Sequence, residues 1–533
     1  MGKRDMAREN GIRGDRNWKK SKKMRKAERA KSGGDAEEPQ PYVSRVGNGW
    51  SLTTAANERF ERYYREQKWM SEEEFGVFMS TLRTPLPVSW RFHANAAGCA
   101  QTVQLMKEHF IRRMGDVKVD GHAIAQPYAL PWYPQEDYAW QFAISRTQLR
   151  QSLLLKEFHQ FLAHETNSGM LSRQEQVSMI PAHFLTIEPS HKILDVCAAP
   201  GSKTAQLMEL LVEKATPENP VTGFVVANDA NVQRCYLLSH QTQRLSRLFP
   251  YLIITNEDAA NIPTFTQLDG SELRFDSILC DVVCSGDGTL RKSPDLWARW
   301  SPAMANGIHL EQVRIARRAL HLLKVGGELV YSTCSMNPVE DEAVLAELLR
   351  EYKGAIELVD CSHMFPALKR WKGVSTWVNT DREARRTFTS FETLPEDVKV
   401  SQKRYPRSVF PPSEEESSWM HLDRCMRFLP HFQDTGGFFV AKLRKTAELN
   451  PSRAERKMKY LAHRKVEEEC GATAADAEVA MEGGPDGADA GLEEEGSAGG
   501  AGVAIPNEGD VDNYNRDADD DNDDNDDNDG DDV

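Results

Sequence analysis

The sequence predicts an α/β protein with a mostly parallel sheet, and two observations lead to that fold class. Short apolar strands alternate with helical stretches from about residue 190 onwards. The first of these strands runs into a loop of small residues, after which a helix opens. A strand, a helix and a second strand in succession favour a right-handed crossover, which leaves the two strands parallel.

The strands of this sheet are short apolar segments separated by helical periodicity. They are predicted at Lys192–Val196, Gly223–Asn228, Tyr251–Thr255, Asp276–Asp281 and Gly327–Ser332. Helices are predicted between them at 203–214, 231–247 and 306–323, and a late strand is predicted at 436–443.

The chain before residue 190 has a different organisation. Helical patterns at 55–82, 100–114 and 149–164 surround a strand-like segment at 86–92, which predicts a small α+β subdomain. We therefore expect four regions, with an arm, a subdomain, a main α/β domain and a tail at 1–50, 51–185, 186–445 and 446–533. Within the third region, residues 365–415 are rich in Pro, aromatic and basic residues and predict a long ordered insertion.

The two ends of the chain carry opposite charge. Residues 1–32 hold 13 Lys/Arg and 4 Asp/Glu, whereas residues 466–533 hold one Arg and 25 Asp/Glu. The whole chain has a net charge of −15, so the middle is close to neutral. The acidic balance therefore describes the tail and does not exclude a nucleic-acid ligand. Both ends are predicted to be disordered. The basic run at 19–26 predicts a nuclear import signal or a contact arm, with a solvated charged tail as the alternative.

The nine cysteines are read as reduced thiols, since their number is odd and no spacing matches a zinc finger. We expect no metal site. The chain opens on charged residues and holds no apolar run of about 18 residues, so neither a signal peptide nor a membrane span is predicted.

The loop after the first strand has the composition of a nucleotide-binding loop, because small residues let the backbone approach a ligand closely. It lacks the dinucleotide and Walker patterns, which argues against NAD and against ATP hydrolysis. The candidate cofactor-binding residues of the loop are Cys197, Ala198, Ala199, Pro200, Gly201, Ser202 and Lys203. Asp229 and Asp258 follow the next two strands and are candidates for binding ribose hydroxyls and an adenine amino group. Taken alone, each would be read as a turn or cap residue.

Two cysteines follow the ends of neighbouring strands, Cys284 after the fourth strand and Cys334 after the fifth. A single free cysteine is usually a buried, inert residue, and that interpretation is applied to the others in the sheet and helices. These others are Cys99, Cys235, Cys280, Cys361 and Cys425. Two thiols on loops at the same sheet edge predict a reactive pair.

Three long segments resemble the motifs of the Sun-domain RNA cytosine-5 methyltransferases, in particular the eukaryotic multisite tRNA cytosine-5 methyltransferases. They are DVCAAPGSKT at 195–204, CDVVCSGDGT at 280–289 and YSTCSMNPVEDEA at 331–343. Segments at 132–134, 157–181 and 434–443 agree, so the similarity covers about residues 55–445.

The resemblance implies a class I S-adenosylmethionine-dependent methyltransferase fold, Rossmann-like, with an N-terminal RNA-binding subdomain. It implies that Cys334 adds to carbon 6 of a cytosine and that Cys284 assists product release after the methyl group has reached carbon 5. It places S-adenosyl-L-methionine on 197–203, Asp229, Asp258 and Asp281. Asp281 would also stabilise charge near ring nitrogen 3, and Lys203 would lower a thiolate pKa or hold a polar group of the base.

The chain departs from the family pattern at two places. Val283 stands where the family usually has proline, and this predicts a looser loop around Cys284, because proline fixes φ. Close relatives in the family carry a further folded region after the last strand. This chain has a basic segment at 452–465 there, followed by the acidic tail.

Several alternatives stay open. A DNA cytosine-5 methyltransferase is opposed by Val283 and by the Thr-Cys motif at Cys334. A non-catalytic RNA-binding or ribosome-assembly factor, and rRNA instead of tRNA as the substrate, are the others. RNA contacts are expected from residues 1–32, from Arg291–Lys292 and from Lys369–Arg407. We expect a monomer in the nucleus, with the nucleolus and the cytoplasm as alternative locations.

Overall fold

The computed structural model describes residues 45–46, 49–50 and 55–449, except 116, 120–121, 145–147, 149–150, 246 and 400–404. The described residues belong to one compact unit. The predictions for the basic arm, for the basic segment at 452–465 and for the acidic tail lie outside the described residues. The boundary predicted near residue 185 stays a prediction.

A four-stranded antiparallel sheet lies in the N-terminal part of the described chain. Its strands are β1 (Val88–Phe92), β2 (Tyr128–Ala129), β3 (Ala139–Phe142) and β4 (Leu171–Arg173), in the spatial order β2-β3-β1-β4. Trp90 and Phe92 on β1 pack with Phe158 in the core of this part.

The main sheet has nine strands. They are β5 (Lys192–Asp195), β6 (Phe224–Asn228), β7 (Leu252–Thr255), β8 (Phe275–Asp281), β9 (Leu323–Thr333), β10 (Ile356–Leu358), β11 (Trp371–Lys372), β12 (Met426–Phe428) and β13 (Phe438–Lys445). The spatial order is β7-β6-β5-β8-β9-β13-β12-β11, and β10 also pairs with β13. Strands β5 to β9 are mutually parallel, whereas β13 runs antiparallel to β9.

The helices of seven residues or more lie between and around these strands. They are α1 (Glu58–Glu66), α2 (Glu72–Leu82), α3 (Cys99–Met106), α4 (Leu153–Asn167), α5 (Ser202–Glu213), α6 (Val232–Gln243), α7 (Pro302–Leu322), α8 (Glu342–Glu351) and α9 (Glu414–Met420). Shorter helical segments occur at Lys107–Ile111, Arg112–Met114, Ile180–His183, Leu296–Arg299, Glu396–Lys399 and Pro430–Gln433. Pairs of two-residue antiparallel strands join Arg45–Val46 to Gly49–Trp50, Lys118–Val119 to His122–Ala123, and Asn379–Thr380 to Thr387–Phe388.

The parallel strands are covered on both faces, as a sheet of this kind requires. Successive side chains on β8 point to opposite faces. Ile278 belongs to the cluster that contains Ala316 of α7, whereas Leu279 belongs to the cluster that contains Leu211 of α5. This arrangement is the class I methyltransferase fold, so the predicted fold class is confirmed. Among the described residues, no helix combines the length and the apolar character that crossing a membrane needs.

Among the parallel strands β5 to β9, the order of the strands in the sheet reverses once. From β5 the chain moves outward to β6 and β7, and it then returns to the opposite side of β5 to form β8 and β9. The carboxyl ends of β5 and β8 therefore flank a topological switch point, where open α/β sheets bind their ligands. The predicted functional residues gather at this edge.

Candidate active site

The loop between β5 and α5 is tied to the end of β6 by backbone contacts. The N–H of Ala198 donates to the carbonyl of Asn228 at 2.8 Å, and Arg234 donates to the carbonyl of Ala199 at 2.6 Å. Gly201, with φ of +114°, opens α5 in a conformation that favours glycine. A Cβ at Gly201 would lie 2.9 Å from Leu238 Cδ1, so α6 packs directly against the loop.

Asp195, the last residue of β5, was not among the predicted site residues. Its Oδ2 accepts a hydrogen bond from Thr204 Oγ1 at 2.7 Å, whereas its buried Oδ1 has no partner among the residues that the structure describes. Burial raises the pKa of Asp195 to about 7, although the hydrogen bond from Thr204 opposes that shift. A buried acceptor left open beside the loop fits a donor group of S-adenosylmethionine. The position of Asp195 at a strand end, next to the loop, was the available signal.

Asp229 and Asp258 lie after β6 and β7, as the strand pattern predicted. The buried Asp229 accepts from the N–H of Asn231 at 3.0 Å and from the N–H of Ala199 at 3.3 Å. Asp258 is exposed and caps a short turn, where it accepts from the N–H of Ala260 at 2.9 Å. Asp229 is thus bound to the loop itself, while the cofactor contacts of both residues stay predictions.

Lys203 and Asp281 form an ion pair at the switch point, with 2.8 Å between Lys203 Nζ and Asp281 Oδ2. Lys203 Nζ also donates to Ser178 Oγ at 2.9 Å, and Ser332 Oγ donates to Asp281 Oδ1 at 2.6 Å. Burial lowers the pKa of Lys203, but Asp281 and, to a smaller extent, Cys334 raise it, and the net pKa lies above the ordinary value. Lys203 therefore keeps its proton beside Cys334.

The structure brings the two predicted cysteines into contact, with 3.1 Å between Cys284 Sγ and Cys334 Sγ. Both are partly buried and free. The hydrogen bond with Cys334, followed by burial, raises the pKa of the Cys284 thiol well above its ordinary value. Cys284 therefore holds its proton.

The cysteines assigned to the core are buried as predicted, which confirms that assignment. They are Cys99, Cys235, Cys280, Cys361 and Cys425. Cys197 in the cofactor loop is partly exposed.

The loop that holds Cys284 is anchored on both sides of the cysteine. The carbonyl of Val283 accepts from Gln312 Nε2 at 2.9 Å, and the N–H of Ser285 donates to Glu340 Oε1 at 2.7 Å. The Val283 side chain is 44% exposed and points away from the core. Protein contacts from α7 and from Glu340 thus hold the loop at the position where the family usually has proline.

Two buried carboxyl groups near the cysteines were missed by the sequence reasoning, although both lie inside the quoted motifs. Glu340 accepts hydrogen bonds from the residues that follow the two cysteines, and Asp287 accepts from the N–H of Met336 at 2.7 Å. Burial raises the pKa of both carboxyl groups. Only the fold shows that they lie between the two loops.

One predicted RNA contact is wrong. Arg291 is buried, where it pairs with Asp434 Oδ1 at 2.6 Å and donates to the carbonyls of Thr84, Pro85 and Thr435. All its donors serve the protein interior, so Arg291 joins the loop after β8 to the turn before β13. Lys292, its neighbour, is exposed.

Comparisons with known proteins show the family that this sequence resembles. Residues 182–444 match the family model described as 16S rRNA methyltransferase RsmB/F. A tRNA (cytosine(34)-C(5))-methyltransferase of Drosophila melanogaster is 43% identical over 74% of this chain and 53% of its own length. A multisite-specific tRNA:(cytosine-C(5))-methyltransferase of Saccharomyces cerevisiae is 41% identical over 78% of this chain and 59% of its own length. A solved methyltransferase homologue from Pyrococcus horikoshii covers 73% of this chain and 93% of its own, with 23% identity and a TM-score of 0.46.

The parallel sheet, with a small-residue loop at its switch point and two thiols in contact, has the architecture of the class I methyltransferases. The chain belongs to the RsmB/F family of Sun-domain methyltransferases. It spans between half and two thirds of the length of the curated relatives it matches. Among the described residues, no group of His, Cys, Asp and Glu is arranged to hold a metal ion.

Proposed function

We propose that the chain is an S-adenosylmethionine-dependent RNA (cytosine-5-)-methyltransferase that makes 5-methylcytosine in tRNA. The observation that carries the proposal is the thiol pair, 3.1 Å apart at the switch-point edge. The partly buried Lys203–Asp281 pair supports it, since Lys203 interacts electrostatically with Cys334. The fly and yeast relatives are tRNA cytosine-5 methyltransferases, which supports tRNA as the substrate class.

Cys334 is assigned the first step. Its thiolate adds to carbon 6 of cytosine, a sulfur–carbon bond forms, and the electron pair of the ring double bond becomes available at carbon 5. The protonated Lys203 stabilises the thiolate, and the proton that it shares with Asp281 stabilises the negative charge that develops near ring nitrogen 3. When bound at residues 197–203 and near Asp195, the cofactor S-adenosylmethionine supplies the methyl group that carbon 5 attacks.

Cys284 is assigned to release. After methyl transfer, carbon 5 loses its proton to water, the electron pair of that bond restores the ring double bond, and the bond to carbon 6 breaks so that Cys334 leaves as a thiolate. The raised pKa of Cys284 leaves it a thiol, which is a weaker nucleophile than a thiolate and a suitable partner for the departing Cys334 sulfur.

Covalent trapping tests these assignments. The Cys284→Ala variant, incubated with tRNA and cofactor, is expected to accumulate a protein–RNA adduct that survives denaturing electrophoresis. Cys334→Ala is expected to form no adduct and to transfer no labelled methyl group. The assignment is wrong if Cys334→Ala methylates RNA, or if Cys284→Ala accumulates no adduct.

The substrate alternatives are separated by sequencing bisulfite-treated RNA from cells with and without the protein. Loss of 5-methylcytosine from tRNA alone supports the proposal, and loss from rRNA alone favours the alternative substrate. No change in either RNA favours the non-catalytic RNA-binding or assembly factor.

Nuclear localisation is proposed from the basic run at 19–26, with the nucleolus and cytoplasm as alternatives. A fluorescent protein fused to residues 1–32 is expected to enter the nucleus, whereas a fusion with the lysines and arginines of the run replaced by Ala is not. A monomer is proposed as well, and light scattering of the purified chain measures its mass.

A further inference from the structure

The loops that carry the two cysteines meet at one buried carboxylate, that of Glu340. Ser285, directly after Cys284, donates its N–H to Glu340 Oε1 at 2.7 Å and its hydroxyl to Oε2 at 2.5 Å. Ser335, directly after Cys334, has its Oγ at 2.6 Å from the same Oε2. One carboxylate thus bonds to the neighbour of each reactive thiol.

The surroundings of Glu340 fix its orientation. Gln312 Nε2 lies 3.3 Å from Glu340 Oε1 and also holds the loop of Cys284 through the Val283 carbonyl. On the other side, Ser335 Oγ is 3.1 Å from Asp287 Oδ1, and Tyr64 donates its hydroxyl to Asp287 Oδ2. Glu340 and Asp287 are fully buried, so solvent contributes little to holding these groups in place.

The hydrogen-bond pattern explains why a carboxyl group is used here. A carboxylate accepts hydrogen bonds at both oxygens, and Glu340 Oε2 takes both serine hydroxyls. An amide would turn a donor either towards the two serine hydroxyls at Oε2 or towards the Ser285 N–H at Oε1, so at least one of these hydrogen bonds would be lost. Burying a carboxylate is costly unless its hydrogen bonds are made, so the loops are held where they satisfy it.

We propose that Glu340 is a positioning residue that sets the separation of the Cys284 and Cys334 thiols, and through it the rate at which Cys284 resolves the Cys334 adduct. The first part concerns the protein alone, whereas the second rests on the proposed function. Glu340 acts through Ser285 and Ser335 and touches neither the base nor the cofactor in this assignment.

The separation of the thiols is tested without RNA or cofactor. Diamide takes two electrons and two protons from the two thiols, and a disulfide forms between Cys284 and Cys334. Mass spectrometry of the linked peptides follows its rate in the full chain. In Glu340→Gln this rate is expected to fall about tenfold or more, because a displacement of about 1 Å in a reacting pair has effects of this size. Glu347→Gln is the matched control, since it alters a partly exposed carboxylate that pairs with Arg350 on α8.

The effect on release is tested by single-turnover kinetics with tRNA. Glu340→Gln is expected to resolve its protein–RNA adduct about 10- to 100-fold more slowly, while adduct formation changes less. A residue needed only for folding would lower the amount of adduct formed, through a smaller fraction of active protein, and would leave the rate of its resolution unchanged. Wild-type adduct resolution or wild-type disulfide formation in Glu340→Gln overturns the proposal.

A third variant covers the case in which Glu340→Gln does not fold. Ser285→Ala removes one hydroxyl donor and keeps the carboxylate and the backbone N–H bond. It is expected to slow disulfide formation in the same direction but by a smaller factor, and wild-type behaviour overturns the proposal. If no variant forms an adduct, the proposed function fails, yet the diamide experiment still decides whether Glu340 positions the thiols.

Discussion

Asp195 is expected to make the stability of the chain depend on pH, and a single substitution tests this dependence. Burial raises its pKa to about 7 from an ordinary value near 3.8, so the folded chain binds a proton that the unfolded chain has released. The contribution of Asp195 to stability is therefore complete at low pH and is lost as the pH rises to about 7. Within this window, the free energy of unfolding falls by up to about 1.4 kcal/mol per pH unit.

We expect Asp195→Asn to remove this dependence, since an amide does not titrate and still accepts the bond from Thr204. Relative to the wild type, the variant should gain stability between pH 5 and pH 7.5. Urea unfolding at these two pH values measures the difference. An identical pH dependence in both proteins would show that Asp195 is ionised in the folded chain.

Lys203 is the cation of the site, and its removal should affect the attack on the base. We expect Lys203→Met to slow adduct formation by about 100-fold or more, because a preorganised charge at a developing anion contributes effects of this size. Rapid-quench measurement of adduct formation in the Cys284→Ala background provides the rate. Lys203→Arg, which keeps the charge, should recover part of it, and full activity of Lys203→Met would remove Lys203 from the mechanism.

At the level of elements, three backbone segments cross where Gly288 lies. Its N–H donates to the Cys334 carbonyl at 3.0 Å, and its carbonyl accepts from the N–H of Gly437 at 2.8 Å. A Cβ at Gly288 would lie 2.2 Å from the Gly437 carbonyl oxygen and 2.6 Å from that of Cys334. The loop of Cys334 therefore depends on this position having no side chain.

Gly288→Ala is expected to displace the Cys334 loop and to lower methyl transfer by about 100-fold. Gly307→Ala is the control, since Gly307 lies inside α7 with open space around its Cβ position. That change should leave activity intact and stabilise the chain by up to about 1 kcal/mol. Methyl-transfer assays and thermal unfolding of both variants distinguish a local displacement from a general loss of structure.

A buried ion pair joins the N-terminal sheet to the helix that follows the cofactor loop. Arg91 Nη1 on β1 lies 2.8 Å from both carboxylate oxygens of Glu209 on α5, and His93 Nδ1 lies 2.5 Å from Glu209 Oε1. Burial raises the pKa of Glu209, but Arg91 and His93 outweigh it and lower the pKa to about 2. The contribution of this ion pair to the stability of the chain is present above the ordinary pKa of the carboxyl group, and it is lost as the pH falls towards 2.

At the scale of the whole molecule, Glu209→Gln is expected to destabilise the chain by about 3–5 kcal/mol at neutral pH, because it leaves Arg91 buried without its counter-charge. Urea unfolding at pH 7 measures the loss. Glu213→Gln is a suitable comparison, since Glu213 is exposed at the end of the same helix and should change stability by less than about 1 kcal/mol. Equal stability of Glu209→Gln and the wild type would contradict a structural role for the pair.

The sequence was sufficient to predict the parallel sheet and the residues at its strand ends, because a parallel sheet places successive carboxyl ends at one edge. Cys284 and Cys334, 50 residues apart in the chain, could be brought together on that ground. The hydrogen-bond partners of the buried carboxyl groups could not be predicted from the sequence. Tyr64 binds Asp287 across 223 residues, and no local pattern distinguishes either from its neighbours.

Arg291 is a charged residue whose burial could not be predicted from the sequence. A basic residue in a loop is read as a surface charge, because charged side chains are rarely buried. Its burial depends on carbonyls supplied by Thr84, Pro85 and Thr435, which lie at distant places in the chain. Composition alone does not reveal such a set of acceptors.

The bonds between β1 and α5 have a thermodynamic consequence. Arg91 contacts both Glu209 and the Ser202 carbonyl, and the latter lies directly before Lys203. The N-terminal sheet, which is expected to bind RNA, is therefore bonded directly to α5, the helix that begins at the cofactor loop. If RNA changes the position of that helix, it changes the affinity for cofactor, and cofactor then changes the affinity for RNA by the same factor. Binding titrations of each ligand in the presence of the other would measure one shared coupling free energy.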